Sequence, residues 1–257
     1  MEWNDQIFRY CERGSDPAFW AEPVNAATNA AFIVAALLAG RELFRKPAGD
    51  RGLAEGSLVG LLVLMGIGSF LFHTFATRWA TYADTVPIGI FMVGYLAYAL
   101  RRLLGFGWLW VGLGLVGFIA ALKFAGEVQC GPGLLSVKAA APAACLNGTL
   151  GYVPAFLAML AIGVALVANG HPARRHFLLA SIVFLVSMTL RTVDLETCDA
   201  TRLAGHVFGT HFLWHILNAT TLYLLATAAI RHGRSPASNT PGTKTPAADC
   251  TRTPGIA

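Results

Sequence analysis

The run AFLAMLAIGVALVA at residues 155–168 carries no charged side chain and no apolar–polar alternation. A strand with one face in water would alternate. A run that is apolar on every side fits a helix immersed in hydrocarbon. The same character recurs on both sides, strongly from Leu58 to Met65 and from Val111 to Leu122. A helix crossing a hydrocarbon core needs roughly 20 mostly apolar residues. Seven stretches meet that length, at 25–44, 56–76, 82–100, 104–125, 149–169, 175–193 and 206–230. The sixth has the shortest uncharged core, Phe177 to Leu190. Barrel strands would alternate over about ten positions, and these runs do not. The expected fold is an all-α integral membrane protein, a bundle of seven transmembrane helices. The expected divisions are a segment 1–24, the bundle at 25–230 and a tail at 231–257. The tail is rich in Pro, Thr, Ser and Ala, has no periodicity, and reads as disordered.

Composition supports this. Of 257 residues, 55% are hydrophobic and 13% charged, with a mean hydropathy of +0.57. An ordinary soluble domain is roughly 25% charged, so both a soluble domain and a disordered chain are excluded. The net charge of +5 comes from 19 basic and 14 acidic residues, with no basic run beyond pairs such as Arg101-Arg102 and Arg174-Arg175. That scatter indicates neither a nucleic-acid partner nor a protein partner; the partner it implies is the lipid bilayer. With the N-terminus outside, twelve of the 19 Lys and Arg fall on inner segments. The first tail carries Glu2, Asp5, Glu12, Asp16 and Glu22 against two arginines. The basic bias therefore predicts N-terminus out and C-terminus in. The start, Met1-Glu2-Trp3-Asn4-Asp5, has neither the basic region nor the apolar run of a cleavable signal.

Cys11, Cys130, Cys145 and Cys198 all fall on the expected outer side, and Cys250 in the inner tail. An oxidising outer face favours disulfides, and four cysteines allow three pairings. Cys130 and Cys145 share a loop and are the favoured pair, leaving Cys11 with Cys198; four unpaired small apolar side chains are the alternative.

Ionisable residues within spans are costly, so each calls for an explanation. The second span ends with Ser69 and His73 on one helix face, the third begins with Asp84, and the seventh holds His211 and His215 one turn apart. Two imidazoles at i and i+4 with a third from another helix make a three-histidine zinc site with an open position, where the pKa of a bound water falls to about 7. Taken singly, each residue has a plainer reading: a histidine hydrogen-bonding between helices, Ser69 as a packing residue, Asp84 paired with Arg78. All five at one depth favour the metal. His206 reads as a residue supporting that site, and His171, His176 and His232 as meeting solvent or headgroups. In the N-terminal segment, Glu12, Glu22 and Asn25 have the chemistry of a hard-cation site. Spacing favours surface caps and ion pairs around Arg9 and Arg13, Glu22 excepted because it adjoins the first span.

These elements together resemble the alkaline ceramidase family, within a wider superfamily that includes adiponectin-type receptors. The similar motifs are Tyr10-Cys11-Glu12, Ala21-Glu22 with Asn25, Ser69-x3-His73, Asp84, His211-x3-His215 and the segment Arg191 to Cys198. They span about residues 5–230, and their order and spacing are jointly specific. The resemblance implies a zinc-dependent hydrolase that cleaves the amide of ceramide-like lipids to a sphingoid base and a fatty acid. It implies zinc ligands at His73, His211 and His215, oxyanion or water stabilisation by Ser69, and acid–base chemistry at Asp84. It also matches Cys11 and Cys198 to a disulfide. Eukaryotic members bind calcium through the N-terminal segment. Here Glu12 and Glu22 match, but Arg9 and Gly14 stand where Asp and Asn are expected, so two ligands are missing and a cation is added. That weakens the expectation of calcium, with Asp5 and Asp16 left to compensate. It also points to a bacterial-type member, in the plasma (inner) membrane, whose lipid need not be ceramide itself. A lipid receptor with a structural zinc is the competing class, and Asp84 separates the two, since a structural site needs no general acid. A proton-coupled transporter would place its ionisable groups near the midplane rather than at one end.

Overall fold

Seven helices in the computed structural model, which describes residues 2–130 and 143–233, are long and apolar enough to cross a bilayer. They are α1 (Pro23–Phe44), α2 (Leu53–Phe75), α3 (Arg78–Leu103), α4 (Trp108–Glu127), α5 (Cys145–Ala168), α6 (Arg174–Thr192) and α7 (His211–His232). They form a closed ring in chain order, with α1 packed on both α2 and α7. α7 is the most buried span and α4 the least. The core runs through the middle of the ring, from Phe32, Leu62 and Met65 to Phe177, Phe184, Trp214 and Leu222. Outward faces carry Leu37, Leu64, Ile90, Leu113, Val116, Ile182 and Val186, all exposed. An apolar belt of that extent is unsuited to water and suits acyl chains.

Most span ends fall within a few residues of the sequence reading; the seventh differs by more. It begins at His211 rather than 206, because residues 202–207 form a hairpin of β3 (Arg202–Leu203) and β4 (His206–Val207). β1 (Gln129–Cys130) and β2 (Ala143–Ala144) pair in the α4–α5 connection. Ala204 and Gly205 turn the second hairpin with φ of 51° and 85°, the positive pair that a two-residue turn of the tighter type requires. His206 is consequently exposed on a strand and is not one of the three buried histidines that converge. α5 starts earlier than expected, with a tight helical stretch at Cys145–Tyr152 that includes left-handed residues Leu146, Asn147 and Gly148. The tail from residue 234, with Cys250, lies outside the described residues.

The N-terminal segment closes one end of the ring. Ile7 N donates to Ala76 O, Arg78 N to Asp5 O and Trp79 N to Trp3 O, tying it to the α2–α3 turn. A disulfide joins Cys11 to Cys198 in the α6–α7 connection, and a second joins Cys130 to Cys145. Asp194, 1% exposed, completes the attachment. Its carboxylate accepts from Cys11 N (3.1 Å), Thr210 N (2.6 Å) and His211 N (2.9 Å), so one side chain holds the segment, the connection and the first turn of α7. Burial pushes the Asp194 carboxyl upward against those three bonds.

At the opposite end, His171, His176 and His232 do not simply face solvent. The His176 and His232 rings lie 5.2 Å apart, with His171 6.5 Å from His232.

Candidate active site

The α2–α3 contact sets the site. A Cβ on Gly68 would overlap the Ala83 carbonyl, so glycine there lets the helices touch and brings Ser69 beside Asp84. Ser69 hydrogen-bonds the Asp84 carboxylate. Because an ionised carboxylate only accepts, the serine hydroxyl donates. From α2 and α7, His73, His211 and His215 converge, each 1–2% exposed. Each offers a ring nitrogen within 4.8 Å of the other two. The chain thus places all five residues singled out in its spans at one end of the ring.

The surroundings fix the imidazoles. Glu22 accepts from His73 Nδ1 at 2.5 Å and from Arg13 Nε at 2.6 Å, with Asn25 Nδ2 at 3.0 Å. Burial opposes ionisation of Glu22, but His73, Arg13 and Asn25 together hold its carboxyl below the usual range. A carboxylate partner puts the His73 hydrogen on Nδ1 and leaves the Nε2 lone pair for the cluster. Thr28 does the same for His215. Its one hydroxyl hydrogen goes to the Val24 and Asn25 carbonyls, so at 3.0 Å it faces His215 Nδ1 as an acceptor. The ring nitrogen left over, His215 Nε2, is buried without a hydrogen-bond partner among the described residues, as is His211 Nδ1. Buried unpaired nitrogens are expensive. Two of them beside a third imidazole of fixed tautomer have the donor chemistry of a three-histidine metal site. The residues present fit such an ion.

They do not fit calcium in the N-terminal segment. Arg13, expected at the surface, is buried with its side chain 0% exposed. Its guanidinium donates to Glu22 Oε1 and to the carbonyls of Asp16 (3.1 Å), Ala18 (2.9 Å), His73 (2.8 Å) and Thr74 (3.1 Å). This oxygen nest already contains a cation. Glu12 is engaged as well, one oxygen accepting from Val24 N (2.7 Å) and the other from Asn25 N (2.8 Å), which caps the start of α1. Half-burial raises the Glu12 carboxyl, and the two N–H bonds oppose that shift.

Two adjoining chambers complete the site. The polar one is lined by Ser69, Asp84, His211, His215, Tyr10 and Arg191. The other is almost entirely apolar, bounded by side chains such as Phe91, Phe118, Met159, Phe184 and Leu225. Met65, Ile88, Tyr152 and Asn218 line both. Tyr10 stacks on His211 with ring centroids 3.6 Å apart. Burial pushes its hydroxyl up to about 12, so it stays protonated at neutral pH.

A buried histidine triad with a neighbouring carboxylate, joined to an apolar chamber within a seven-helix ring, suits the cleavage of a lipid. The sequence profile of a family described as Ceramidase matches residues 9–241. The chain belongs to the ceramidase family. This ceramidase-family protein is accordingly a hydrolase acting on the amide bond of ceramide, and its substrate is a lipid. No curated protein and no solved structure matches the chain.

Several residues have a place at the site that the sequence reading did not give them. Arg13, Thr28 and Asp194 each hydrogen-bond one of the histidines, and Arg191, Trp214 and Asn218 line the polar chamber. For Arg191 and Asp194 the cue was the Arg191 to Cys198 segment that entered the resemblance; Arg13 offered only its charge, and Thr28, Trp214 and Asn218 are ordinary residues of apolar helices.

Proposed function

We propose that the chain is a zinc-dependent intramembrane amidase acting on ceramide-like N-acyl lipids, with His73, His211 and His215 holding the ion. The observation that carries this is the pair of unpartnered buried nitrogens, His211 Nδ1 and His215 Nε2, in the chamber that also contains Asp84. When bound, zinc would polarise the amide carbonyl and lower the pKa of a water to about 7. Asp84 takes the proton of the attacking water and returns it to the leaving amine nitrogen, the two halves of general acid–base catalysis. Ser69 orients that carboxylate by donating to it, and lines the chamber where the carbonyl oxygen would gain charge. Glu22 and Thr28 hold two imidazoles in the tautomers that face the ion. The acyl chain occupies the apolar chamber, which excludes water from the reacting bond.

Both disulfides lie at the same end of the ring as the site or in the connections there, and disulfides persist in oxidising compartments. With the basic bias of the other connections, this supports an extracytoplasmic site and N-terminus.

The test is to incubate the purified protein with a panel of N-acyl sphingoid lipids, with and without chelator, and to assay free fatty acid. Release that chelator abolishes and zinc restores is the expected result. His73→Ala, His211→Ala and His215→Ala should each lose both the bound metal and the release. Retained turnover in all three would remove the metal assignment, and no release from any lipid would favour a receptor with a structural ion.

A further inference from the structure

Arg191 carries a buried positive charge that the proposed hydrolysis does not use. It stands in the last turn of α6, 8% exposed, in the wall of the polar chamber. A guanidinium offers five N–H donors. Nη1 donates to the Asn147 carbonyl (2.9 Å) and to Thr149 Oγ1 (2.9 Å), and a further bond goes to the Tyr10 hydroxyl. The Tyr152 and Trp214 rings lie against the guanidinium at 5.3 and 5.5 Å. Among the described residues no carboxylate contacts it as Glu22 contacts the buried Arg13. The carboxylate charge that acts on it is Asp84, across the same chamber and already hydrogen-bonded by Ser69. A cation removed from water without a paired anion is a costly arrangement. Beside a cavity, an anion entering that cavity would offset the cost.

The groups that hold Arg191 are themselves constrained. Leu146, Asn147 and Gly148 are consecutive left-handed residues with φ of 54°, 52° and 81°, a conformation that Leu rarely adopts. It turns the Asn147 carbonyl to the guanidinium, while Asn147 Nδ2 donates to Thr192 O at 2.7 Å. The charge is therefore fixed in position and not free to retreat into solvent.

Its level in the ring says what part of a lipid it would meet. Ser187 Oγ donates to the Trp214 carbonyl at 3.2 Å, so Arg191, one turn further along α6, is level with the start of α7. The histidines come next, then Asn218, then the apolar chamber as far as Leu225. At 1.5 Å per residue, Leu225 is about 15 Å along the axis from His215. With the amide in the polar chamber and the acyl chain directed to Leu225, the rest of the lipid lies on the Arg191 side.

We infer that Arg191 is a specificity residue that binds an anionic group, a carboxylate, phosphate or sulfonate, held close to the scissile amide on the head-group side. The planar guanidinium suits such groups because it can donate two parallel hydrogen bonds. The position of the amide rests on the amidase reading; the anion site does not. A second source of the same chemistry is the carboxylate of a released fatty acid.

The experiment uses the full-length protein in detergent micelles as wild type, Arg191→Gln and Arg191→Lys, each with its zinc content measured. One arm compares kcat/KM for an N-acylsphingosine and for its 1-phosphate. The other compares equilibrium binding of radiolabelled palmitate and hexadecanol. The wild type should favour the 1-phosphate by roughly 10- to 100-fold, Arg191→Gln should bring that ratio close to one, and Arg191→Lys should keep part of it. A preference for palmitate over hexadecanol alone, lost in Arg191→Gln, assigns the anion to the released acid. A wild type that discriminates in neither pair, or a Gln variant that leaves both ratios unchanged, overturns the anion site. The binding arm needs no turnover. Failure of hydrolysis on every lipid would therefore strike the amidase reading and leave this one measurable.

Discussion

Replacing Arg13 with methionine removes the one cation at the centre of the N-terminal attachment while keeping a side chain of similar reach. The Arg13 and Glu22 side chains are 0% and 2% exposed. Breaking a pair buried to that degree by deleting one partner costs about 3–5 kcal/mol, because the remaining charge is left uncompensated. The substitution also strips donors from the carbonyls of Asp16, Ala18, His73 and Thr74. At roughly 2–4 °C per kcal/mol for a chain of this size, the unfolding midpoint should fall by roughly 6–20 °C. Glu22 then steadies His73 less well, and losing such an outer partner lowers metal affinity by roughly 10- to 100-fold. Differential scanning fluorimetry in detergent and metal analysis of the same preparations read both effects. Arg13→Lys should recover part of the midpoint by restoring a charge beside Glu22, without the planar fork that serves the carbonyls. Arg45→Met is the control, since that ion pair to Glu42 is 62% exposed at the arginine and is worth about 0–1 kcal/mol. An Arg13→Met protein that melts with the wild type and keeps its metal would refute the reasoning.

Because the guanidinium fills the oxygen nest, millimolar calcium or its chelation by EGTA should leave the wild-type midpoint unchanged; a calcium-dependent rise would show a site that these contacts exclude. Gly68→Ala should part α2 from α3 through the Ala83 carbonyl, lowering fatty-acid release by about tenfold or more through a small displacement of Asp84, while metal content, set by α2 and α7, holds; loss of both together would count against this division of roles. Reduction should destabilise the protein mainly through Cys11–Cys198, whose 187-residue separation gives a loop-closure contribution of roughly 5 kcal/mol against roughly 3 for the 15 residues of Cys130–Cys145. Comparing the melting of Cys11→Ser with that of Cys130→Ser checks the order. Asp194→Asn should lower the midpoint by about 2–3 kcal/mol equivalent, since an amide cannot accept all three N–H bonds as a carboxylate does; an unchanged melt would remove Asp194 from the attachment.

The architecture was readable because charge is scarce. A run such as Ala155–Ala168 admits few solutions in a chain of this composition, and all seven spans sit where hydropathy places them. Ser69, His73, Asp84, His211 and His215 were legible for the same reason, as the ionisable or polar residues left at one depth in apolar helices. The burial and partners of Arg13, Arg191 and Asp194 were not, although the Arg191 to Cys198 segment entered the resemblance. These three residues lie in connections or at a helix end, where a charge is ordinary, and only contacts distant in sequence bury them. Cys11 and Asp194 are 183 residues apart, and nothing local to Asp194 announces that it binds the N-terminal segment. The start of α7 was misplaced because Ala204-Gly205 is not a strong turn signal, and the left-handed Ala204 is supported by strand pairing on either side.

The central claim, turnover by Asp84 beside a three-histidine metal site, is tested most directly by one paired measurement on Asp84→Asn: zinc per chain and fatty acid released from an N-acylsphingosine by the same sample. The account predicts zinc at the wild-type level with release reduced by roughly 100-fold or more, the loss expected when an acid–base group is removed. Release at the wild-type rate from a zinc-loaded Asp84→Asn protein would contradict it.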